Sequence, residues 1–259
     1  KTPLHYALQS NSPEIVQMIL KMDLSPIDGN DWYGKTALQY ALQSGNSEIV
    51  KMIMKKKPDL IDRKDREGKT ALFYALQSGN PEIVQMILKE EPSLIYTRDE
   101  DGKTALHYAL QNGNPAIAQM ILKEEASIID MKDRHGKTAL NYALRSGKPE
   151  IVQLILKEKP AVIDMRYEDG KTALHSALES KNPGIVQMIL KKKPNIINMR
   201  DVDGKTALHY ALQTGNPKIV QIILKEKISL IDTRDINGRT ILHYALQTGN
   251  PKIVQIILK

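Results

Sequence analysis

The sequence predicts an all-α solenoid with short finger or hairpin loops, built from eight stacked helix-turn-helix units with a period of 34 residues. A glycine followed by Lys-Thr, or in the last case by Arg-Thr, recurs at this spacing at Gly34, Gly68, Gly102, Gly136, Gly170, Gly204 and Gly238. A fixed period of this length is typical of repeat architectures, in which one unit cannot bury its own apolar face and has to stack on its neighbours. The register predicts one array over residues 1–259, in which the first copy lacks its leading finger and the last ends after its second helix.

The third copy shows why each unit is a pair of helices. In residues 70–76, apolar side chains recur at i, i+3 and i+4 spacing behind Thr70, a suitable N-cap, and Gly79 supplies a left-handed stop. Asn-Pro-Glu at 80–82 then combines an N-cap, a proline at the first helical position and an acid in the first turn, which predicts a second helix. Residues 93–101 return to the next glycine and are consistent with an extended finger or hairpin.

These motifs resemble one known repeat. Gly-Lys-Thr-Ala-Leu-His-Tyr-Ala-Leu, followed by Gly-Asn-Pro-Glu-Ile-Val-Gln-Met-Ile-Leu, is similar to the ankyrin repeat's Gly-x-Thr-Pro-Leu-His-x-Ala signature and its Ile-Val-x-x-Leu-Leu helix. The match covers the whole chain, and Pro3 keeps the family's proline, which later copies replace with alanine or Ile241. The period of 34 instead of 33, and segments such as Glu-Pro-Ser-Leu at 91–94 in place of the family's Gly-Ala, depart from the pattern. The resemblance implies an L-shaped helix pair and leaves the conformation of the finger open.

The composition excludes several classes of protein. The chain is 41% hydrophobic and 26% charged, which suits a folded domain and not a disordered or collagen-like one. No apolar run approaches the roughly 18 residues needed to cross a bilayer, and residues 1–5 lack the apolar core of a signal peptide. The absence of cysteine excludes disulfides and thiolate chemistry. We therefore expect an intracellular, cytoplasmic protein without membrane insertion.

Positive charge is concentrated in the second half of the chain. The net charge of +7 divides into −2 for residues 1–136 and +9 for residues 137–259. This asymmetry suits steering of an acidic partner and is equally consistent with drift among solvated positions. One lysine ladder ends the second helices, where a cation favours the helix dipole: Lys21, Lys55, Lys89, Lys123, Lys157, Lys191, Lys225 and Lys259. The ladder after the repeat glycines is the better electrostatic candidate: Lys35, Lys69, Lys103, Lys137, Lys171, Lys205 and Arg239.

Residues 29–36, Gly-Asn-Asp-Trp-Tyr-Gly-Lys-Thr, satisfy the P-loop pattern letter for letter. A phosphate-binding loop needs a buried strand before it, and residues 23–28, Asp-Leu-Ser-Pro-Ile-Asp, do not suit one. Gly-Lys-Thr recurs in six copies, whereas Gly29 has no counterpart, so the repeat register explains the match. We predict that no nucleotide binds and that the protein needs no cofactor.

Five of the six histidines share one repeat position, three residues after the threonine that caps the first helix: His5, His107, His175, His209 and His243. Neighbouring copies should lie about 10 Å apart, too far for two imidazoles to share a metal ion. We expect hydrogen bonds to the cap and to the adjacent finger, as in the repeats that the chain resembles. Recurring carboxylates are interpreted as turn formers: Asp62, Asp99, Asp130 and Asp133. The sequence thus predicts no catalytic residue, no metal site and no enzyme.

A tyrosine two residues past the buried leucine recurs on the first helix, about 200° round it: Tyr6, Tyr40, Tyr74, Tyr108, Tyr142, Tyr210 and Tyr244. Because this direction differs from that of the leucine, we expect that these tyrosines are not all core. With the position three residues later, they would form a stripe along the concave face that suits a protein interface. Packing between copies is the equal alternative.

Departures from the repeat indicate specificity, because stacking alone explains the common positions. The predicted partner-binding residues are Trp32, Tyr33, Arg66, Tyr74, Tyr108, Arg134, His135, Tyr142, Arg145, Glu179, Val202 and Ile236. Ser176 stands at the repeat position where the other copies have these tyrosines, which we call the tyrosine ladder. Trp32 would anchor a partner if it is exposed at a fingertip, and the alternative is that it covers the N-terminal core.

The resemblance implies a protein–protein interaction scaffold that binds a partner through its concave helix and finger surface. One alternative is the targeting portion of a larger effector or enzyme, since both ends fall at repeat boundaries without polar caps. Another is binding of an acidic polymer such as nucleic acid through the basic C-terminal half, although interleaved acids argue against it. The sequence specifies neither the partner nor the oligomeric state.

Overall fold

The computed structural model describes residues 1–22, 27–167 and 169–259, and these ranges contain two α-helices for each copy of the repeat. In chain order the pairs are α1 (Pro3–Gln9) and α2 (Pro13–Met22), α3 (Ala37–Ser44) and α4 (Ser47–Lys56), α5 (Ala71–Ser78) and α6 (Pro81–Glu90), α7 (Ala105–Gln111) and α8 (Pro115–Glu124), α9 (Ala139–Arg145) and α10 (Pro149–Glu158), α11 (Ala173–Glu179) and α12 (Pro183–Lys192), α13 (Ala207–Gln213) and α14 (Pro217–Glu226), and α15 (Ile241–Gln247) and α16 (Pro251–Leu258). Within the described ranges, an isolated bridge between Arg234 and Thr240 is the extent of the β-structure. The predicted all-α repeat fold is confirmed.

Local sequence signals define both ends of the helices. Thr36 caps α3, and its hydroxyl accepts the Gln39 amide at 3.3 Å. Asn46 caps α4, where its side-chain oxygen accepts the amides of Glu48 and Ile49 at 3.0 and 3.3 Å. Gly45 ends α3 in the left-handed conformation, with φ at 72°. Each cap satisfies backbone groups that the helix itself leaves unpaired.

The chain divides into two compact units, Lys1–His135 and Gly136–Lys259. In the first unit, α1, α3, α5 and α7 pack in succession, and α2, α4, α6 and α8 form a second row. In the second unit, α9, α11, α13 and α15 form one row and α10, α12, α14 and α16 the other. The first helices are buried on most sides, because they pack against their own second helix and against first helices of adjacent copies.

A 3₁₀ turn follows each second helix from α4 to α14. These turns are Pro58–Leu60, Pro92–Tyr96, Ala126–Asp130, Pro160–Asp164, Pro194–Asn198 and Ile228–Asp232. Leu94 and Ile95 are buried in their turn, so the first half of the segment that was expected to be extended belongs to the core instead. The finger is limited to a tight turn, in which the Asp99 amide donates to the Lys103 carbonyl at 3.2 Å.

Candidate functional site

A buried aspartate holds the finger turn against the first helix of its own copy. One oxygen of Asp99 accepts the Lys103 amide at 2.8 Å, and the other accepts the Tyr108 hydroxyl at 2.7 Å. The same bond joins Tyr40 to Asp31, Tyr74 to Asp65, Tyr210 to Asp201 and Tyr244 to Asp235. Burial and the carboxylate raise the pKa of Tyr108, so its hydroxyl stays protonated and remains a donor. Asp99 and Asp133 therefore form finger turns, as predicted, whereas Asp130 ends a 3₁₀ turn and Asp62 precedes the finger turn; the bond from tyrosine also fixes the finger turn to its helix.

Six of the seven tyrosines are buried and Tyr6 is exposed, so the expected tyrosine stripe along an exposed face is wrong. Tyr74, Tyr108 and Tyr142 are 2%, 7% and 5% exposed, whereas Tyr6 in the first copy is 63% exposed. The reason is that a ring at this position packs against the preceding copy, as Tyr108 does on Phe73 with ring centroids 5.0 Å apart. Buried rings offer little surface to a partner, so packing between copies explains the ladder.

One copy replaces the tyrosine–aspartate pair by a tyrosine on the finger and a serine on the helix. Tyr167 stands where other copies have the finger aspartate, and Ser176, nine residues later, stands where they have tyrosine. The Tyr167 hydroxyl is buried beside Ser176, Asn141 and Thr138, and burial raises its pKa to about 12. The large side chain comes from the finger instead of the helix, which explains why the ladder breaks at Ser176.

The five histidines that share one repeat position close the caps of the first helices, as expected, but the Nε2 atoms of His175 and His209 make no hydrogen bond, so the expected bond to the adjacent finger is wrong for these two residues. The Thr104 amide donates to Nδ1 of His107 at 3.1 Å. Equivalent amide contacts occur at His5, His175, His209 and His243. Because Nδ1 accepts a hydrogen bond, the ring is neutral, and burial lowers the pKa of His107, His175 and His209 to about 4.

Glutamine replaces histidine in the second copy and makes the same contact with the cap. Oε1 of Gln39 accepts the Thr36 amide at 2.9 Å. Its Nε2 donates to the carbonyls of Arg63 and Lys69 in the next finger, at 3.1 and 3.0 Å. Gln39 therefore links a cap to the adjacent finger, which is a structural role. In the described parts of the chain, no group of three or more acidic or histidine side chains is placed to hold a metal ion.

The tips of neighbouring fingers are joined through backbone atoms. The Arg66 amide donates to the Tyr33 carbonyl at 3.0 Å, and the Arg134 amide donates to the Asp101 carbonyl at 2.8 Å. In the second unit the corresponding donor and acceptor pairs are Val202 with Asp169 and Ile236 with Asp203. A Cβ on Gly102, whose φ is +75°, would lie 3.0 Å from the Arg134 nitrogen. Both the left-handed conformation and the close approach of the next tip therefore require glycine at this repeat position.

Sequence reasoning missed a second link between fingers. Nη1 of Arg98 donates to the carbonyls of Gly102 and Lys132, at 3.3 and 2.7 Å. Arg200 makes the equivalent two bonds in the second unit. The available signal was a long basic side chain recurring at 34-residue spacing before the finger turn, at Arg98, Lys132, Arg166, Arg200 and Arg234. From the sequence alone such a pattern suggests exposed surface charge. Only the structure shows that the side chain reaches carbonyls of the next finger.

The finger residues among the predicted contacts project into solvent. Trp32 is 77% exposed and Ile236 is 72% exposed. The Arg66 guanidinium lies over the Trp32 ring, 5.1 Å from its centroid. Trp32 is therefore a fingertip residue and does not cover the N-terminal core. The other exposed residues of the predicted set are Tyr33, Arg134, His135, Arg145, Glu179 and Val202.

Five amides of the P-loop-like segment at 29–36, those of residues 31 and 33–36, already donate hydrogen bonds within the chain. One oxygen of Asp31 accepts the amides of Tyr33 and Lys35, at 2.8 and 2.9 Å. The Lys35 ammonium lies 5.2 Å from the centroid of the Tyr74 ring. Part of the preceding segment, residues 23–26, lies outside the described residues. A phosphate would have to displace a carboxylate to reach these amides, which strengthens the prediction that no nucleotide binds.

The lysine ladder after the repeat glycines packs along the fingers. Nζ of Lys171 lies 5.7 Å from the centroid of the Tyr210 ring and pairs with Asp169 and Glu179 at 3.2 and 3.1 Å. Acids of the fingertips also pair with Lys69, Lys103 and Lys205. Local pairing compensates much of this charge, which weakens the electrostatic basis for binding an acidic polymer.

The geometry defines a class of protein, a helical repeat scaffold with a uniform interior and variable fingertips. A family model described as ankyrin repeats (3 copies) matches residues 1–65, 59–131, 125–201 and 193–259. The chain therefore belongs to the ankyrin repeat family. Ankyrin repeats are generally protein–protein interaction modules, and the fold is typically a non-catalytic binding scaffold. A comparison with curated protein sequences gives no match. No helix in the described ranges combines the length and the apolar character needed to cross a bilayer.

Proposed function

We propose that the protein binds a protein partner through its fingertips and the exposed ends of its first helices. One observation carries this proposal: the variable tip residues are tied to their neighbours by backbone hydrogen bonds, and their side chains point into solvent. The side chain at a tip is therefore free to differ from copy to copy without loss of the link between copies. Such chemical variety on a rigid scaffold suits recognition.

The exposed tips carry the residue types that dominate protein interfaces. Trp32 and Arg66 stack on each other at neighbouring tips of the first unit. Tryptophan, tyrosine and arginine are enriched among interface residues whose truncation costs most of the binding energy. In the second unit, Val202 and Ile236 expose apolar side chains at tips, where a soluble surface has no structural need for them.

The test begins with affinity capture and mass spectrometry to obtain a partner, followed by measurement of its Kd for variants. Trp32→Ala and Arg145→Ala should each weaken binding by about 2 kcal/mol, close to thirtyfold, if they contact the partner as central residues. The matched controls are Gln85→Ala and Gln187→Ala on the exposed faces of second helices. Loss of binding in the glutamine variants alone would mean that the fingers are not the recognition surface. Circular dichroism confirms that each variant is folded.

A further inference from the structure

The second helix of the second copy, α4, departs from the repeat on its outer surface. Lys51 and Met54 have no counterpart in any other copy, where these positions hold glutamine and leucine, and Lys56 stands where four copies have glutamate. In α6 the equivalent residues are Gln85, Leu88 and Glu90. Packing between copies does not require the α4 residues, since the neighbouring copies stack without them.

These departures line two grooves on either side of α4. The groove beside α6 has a volume of about 360 Å³, and its lining is Lys51, Met54, Lys55, Pro58, Ile61, Met86 and Glu90. The groove beside α2 has a volume of about 630 Å³, and its lining is Gln17, Leu20, Lys21, Met52, Lys55 and Lys56. Lys55 borders both grooves. The floor is thus apolar and rich in methionine, a flexible side chain that adapts to varied partners.

Lysines surround this floor, and Glu90 is the one acid in the lining of the two grooves among the described residues. Lys21, Lys55 and Lys56 make no ion pair with any residue in the described ranges, and all three are exposed. Lys51 pairs with Glu82 at 2.9 Å, but both side chains are more than half exposed, so this pair is weak. Lys55 belongs to the ladder that favours the helix dipole. Lys56 is the last residue of α4, where the dipole also favours a cation, whereas Lys51 lies in the middle of the helix and the dipole does not account for it.

We propose that these grooves, the α4 surface, bind an acidic amphipathic helix of a partner protein. Its apolar side chains would enter the methionine-lined grooves, and its carboxylates would meet Lys21, Lys55 and Lys56. An amphipathic helix in an apolar groove is a common mode of recognition, and opposite charges at the rim fix its orientation. The α4 surface shares no residue with the fingertips and is a second site.

The same surface suits a helix better than an anionic membrane. Glu14, Glu48 and Glu82 stand at the starts of α2, α4 and α6, so an acidic edge borders the lysines. A flat anionic bilayer would meet this edge and be repelled by it. A narrow helix in the grooves can place its acids on the lysines and leave the glutamates in water.

Methionine methyl groups report on the site directly. The probe is a synthetic amphipathic peptide of about 14 residues, or four helical turns, with leucine at i, i+3, i+4 and i+7 and glutamate or aspartate at the flanking positions. The chain is labelled with ¹³C at its methionine methyls, and the peptide should shift the signals of Met52, Met54 and Met86. A peptide with glutamine in place of every acid should bind at least about tenfold more weakly, and the difference should shrink with added salt.

The chain supplies its own control variant, because neighbouring copies show which residues this helix position tolerates. Lys51→Gln, Met54→Leu and Lys56→Glu together give these three positions of α4 the residues of α6, and this variant should fold normally and lose at least about tenfold in peptide affinity. Trp32→Ala should leave peptide binding unchanged, whereas it weakens binding under the proposed fingertip function. The two proposals therefore fail independently.

Three results would overturn the inference. The first is the absence of methyl shifts at millimolar peptide, and the second is unchanged affinity in the triple variant. The third is that phosphatidylserine-containing vesicles shift the same methyl signals while the peptide does not, which would make the α4 surface a membrane contact.

Discussion

Acidification should weaken the array through its capping histidines before its carboxylates titrate. Burial lowers the pKa of His107, His175 and His209 to about 4, against about 6.5 in an unfolded chain. Between these two values the unfolded state binds more protons, so stability falls as the pH falls. The contribution of each neutral histidine is complete above pH 6.5, declines through the window, and is fully lost below pH 4.

The size of the effect follows from the two pKa values. Lowering the pH from 7 to 5 should cost about 2 kcal/mol for each of the three histidines. Protonation also removes the Nδ1 acceptor of the Thr104 amide and its counterparts, so the helix cap is lost together with the neutral ring. Because repeats can unfold in parts, the loss should appear both in the urea midpoint and in the cooperativity of unfolding.

Replacing the capping histidines by glutamine should keep the helix caps while removing the groups that bind protons. Gln39 already accepts the cap amide and donates to the next finger in the second copy. Replacing His107, His175 and His209 together by glutamine should therefore preserve folding and flatten the pH dependence between 7 and 5. His135→Gln is the control, because His135 is exposed on a finger and its loss should change little.

The assay is urea unfolding followed by circular dichroism at several pH values, with an NMR titration of the imidazole signals. Parallel stability curves for the wild type and the triple glutamine variant would refute the argument. So would imidazole signals of the folded protein that titrate near 6.5, since the buried rings would then bind protons without opening.

Three further predictions test the other elements of the repeat. Tyr108→Phe should destabilise the chain by about 1.5 to 3 kcal/mol, because a buried carboxylate loses its donor, whereas Tyr6→Phe at the exposed end of the ladder should cost less than about 0.5 kcal/mol in urea unfolding. Tyr167→Asp and Ser176→Tyr should each destabilise the chain alone, yet together they restore the pair that other copies have. A double-mutant cycle should therefore give a favourable coupling of about 2 kcal/mol, and additive effects would show that the two positions do not act as a pair. Labelled ATP with magnesium should give no saturable signal, and saturation that Lys35→Ala abolishes would show that the segment is a phosphate site after all.

Much of the fold follows from the sequence because its signals are local. A threonine or asparagine cap and a glycine stop act within a few residues, so the helix pairs and the 34-residue register are visible in the chain itself. The burial of the tyrosine ladder could not be predicted from such local signals. Its angle from the buried leucine suggests an outward face, but a first helix packs on several sides and no single helix reveals how many of its faces the neighbours cover.

Contacts between residues from different segments also could not be predicted from local sequence signals. The Asp99 and Tyr108 side chains meet because the finger folds back on its own helix, and neither residue alone indicates this contact. The substitution of Tyr167 and Ser176 for the usual aspartate and tyrosine was visible only as one copy without tyrosine on its first helix. The exposed candidates, by contrast, were found as departures from the repeat, since a residue that stacking does not require stands out against its copies.

The placement of the conserved contacts within each copy explains how recognition can vary while the scaffold stays the same. The side chains of the finger aspartate, the tyrosine and the capping histidine all make hydrogen bonds inside the array. The tip is joined to the neighbouring copy only through its backbone amide and carbonyl. Any residue that has an amide hydrogen can therefore occupy a tip, from Trp32 and Arg66 to Ile236. Proline is the exception, because it would remove the donor that joins one tip to the next. The stability of the array and the chemistry of its fingertips are thus set by different atoms, so fingertip residues can be exchanged between copies to test recognition without rebuilding the fold.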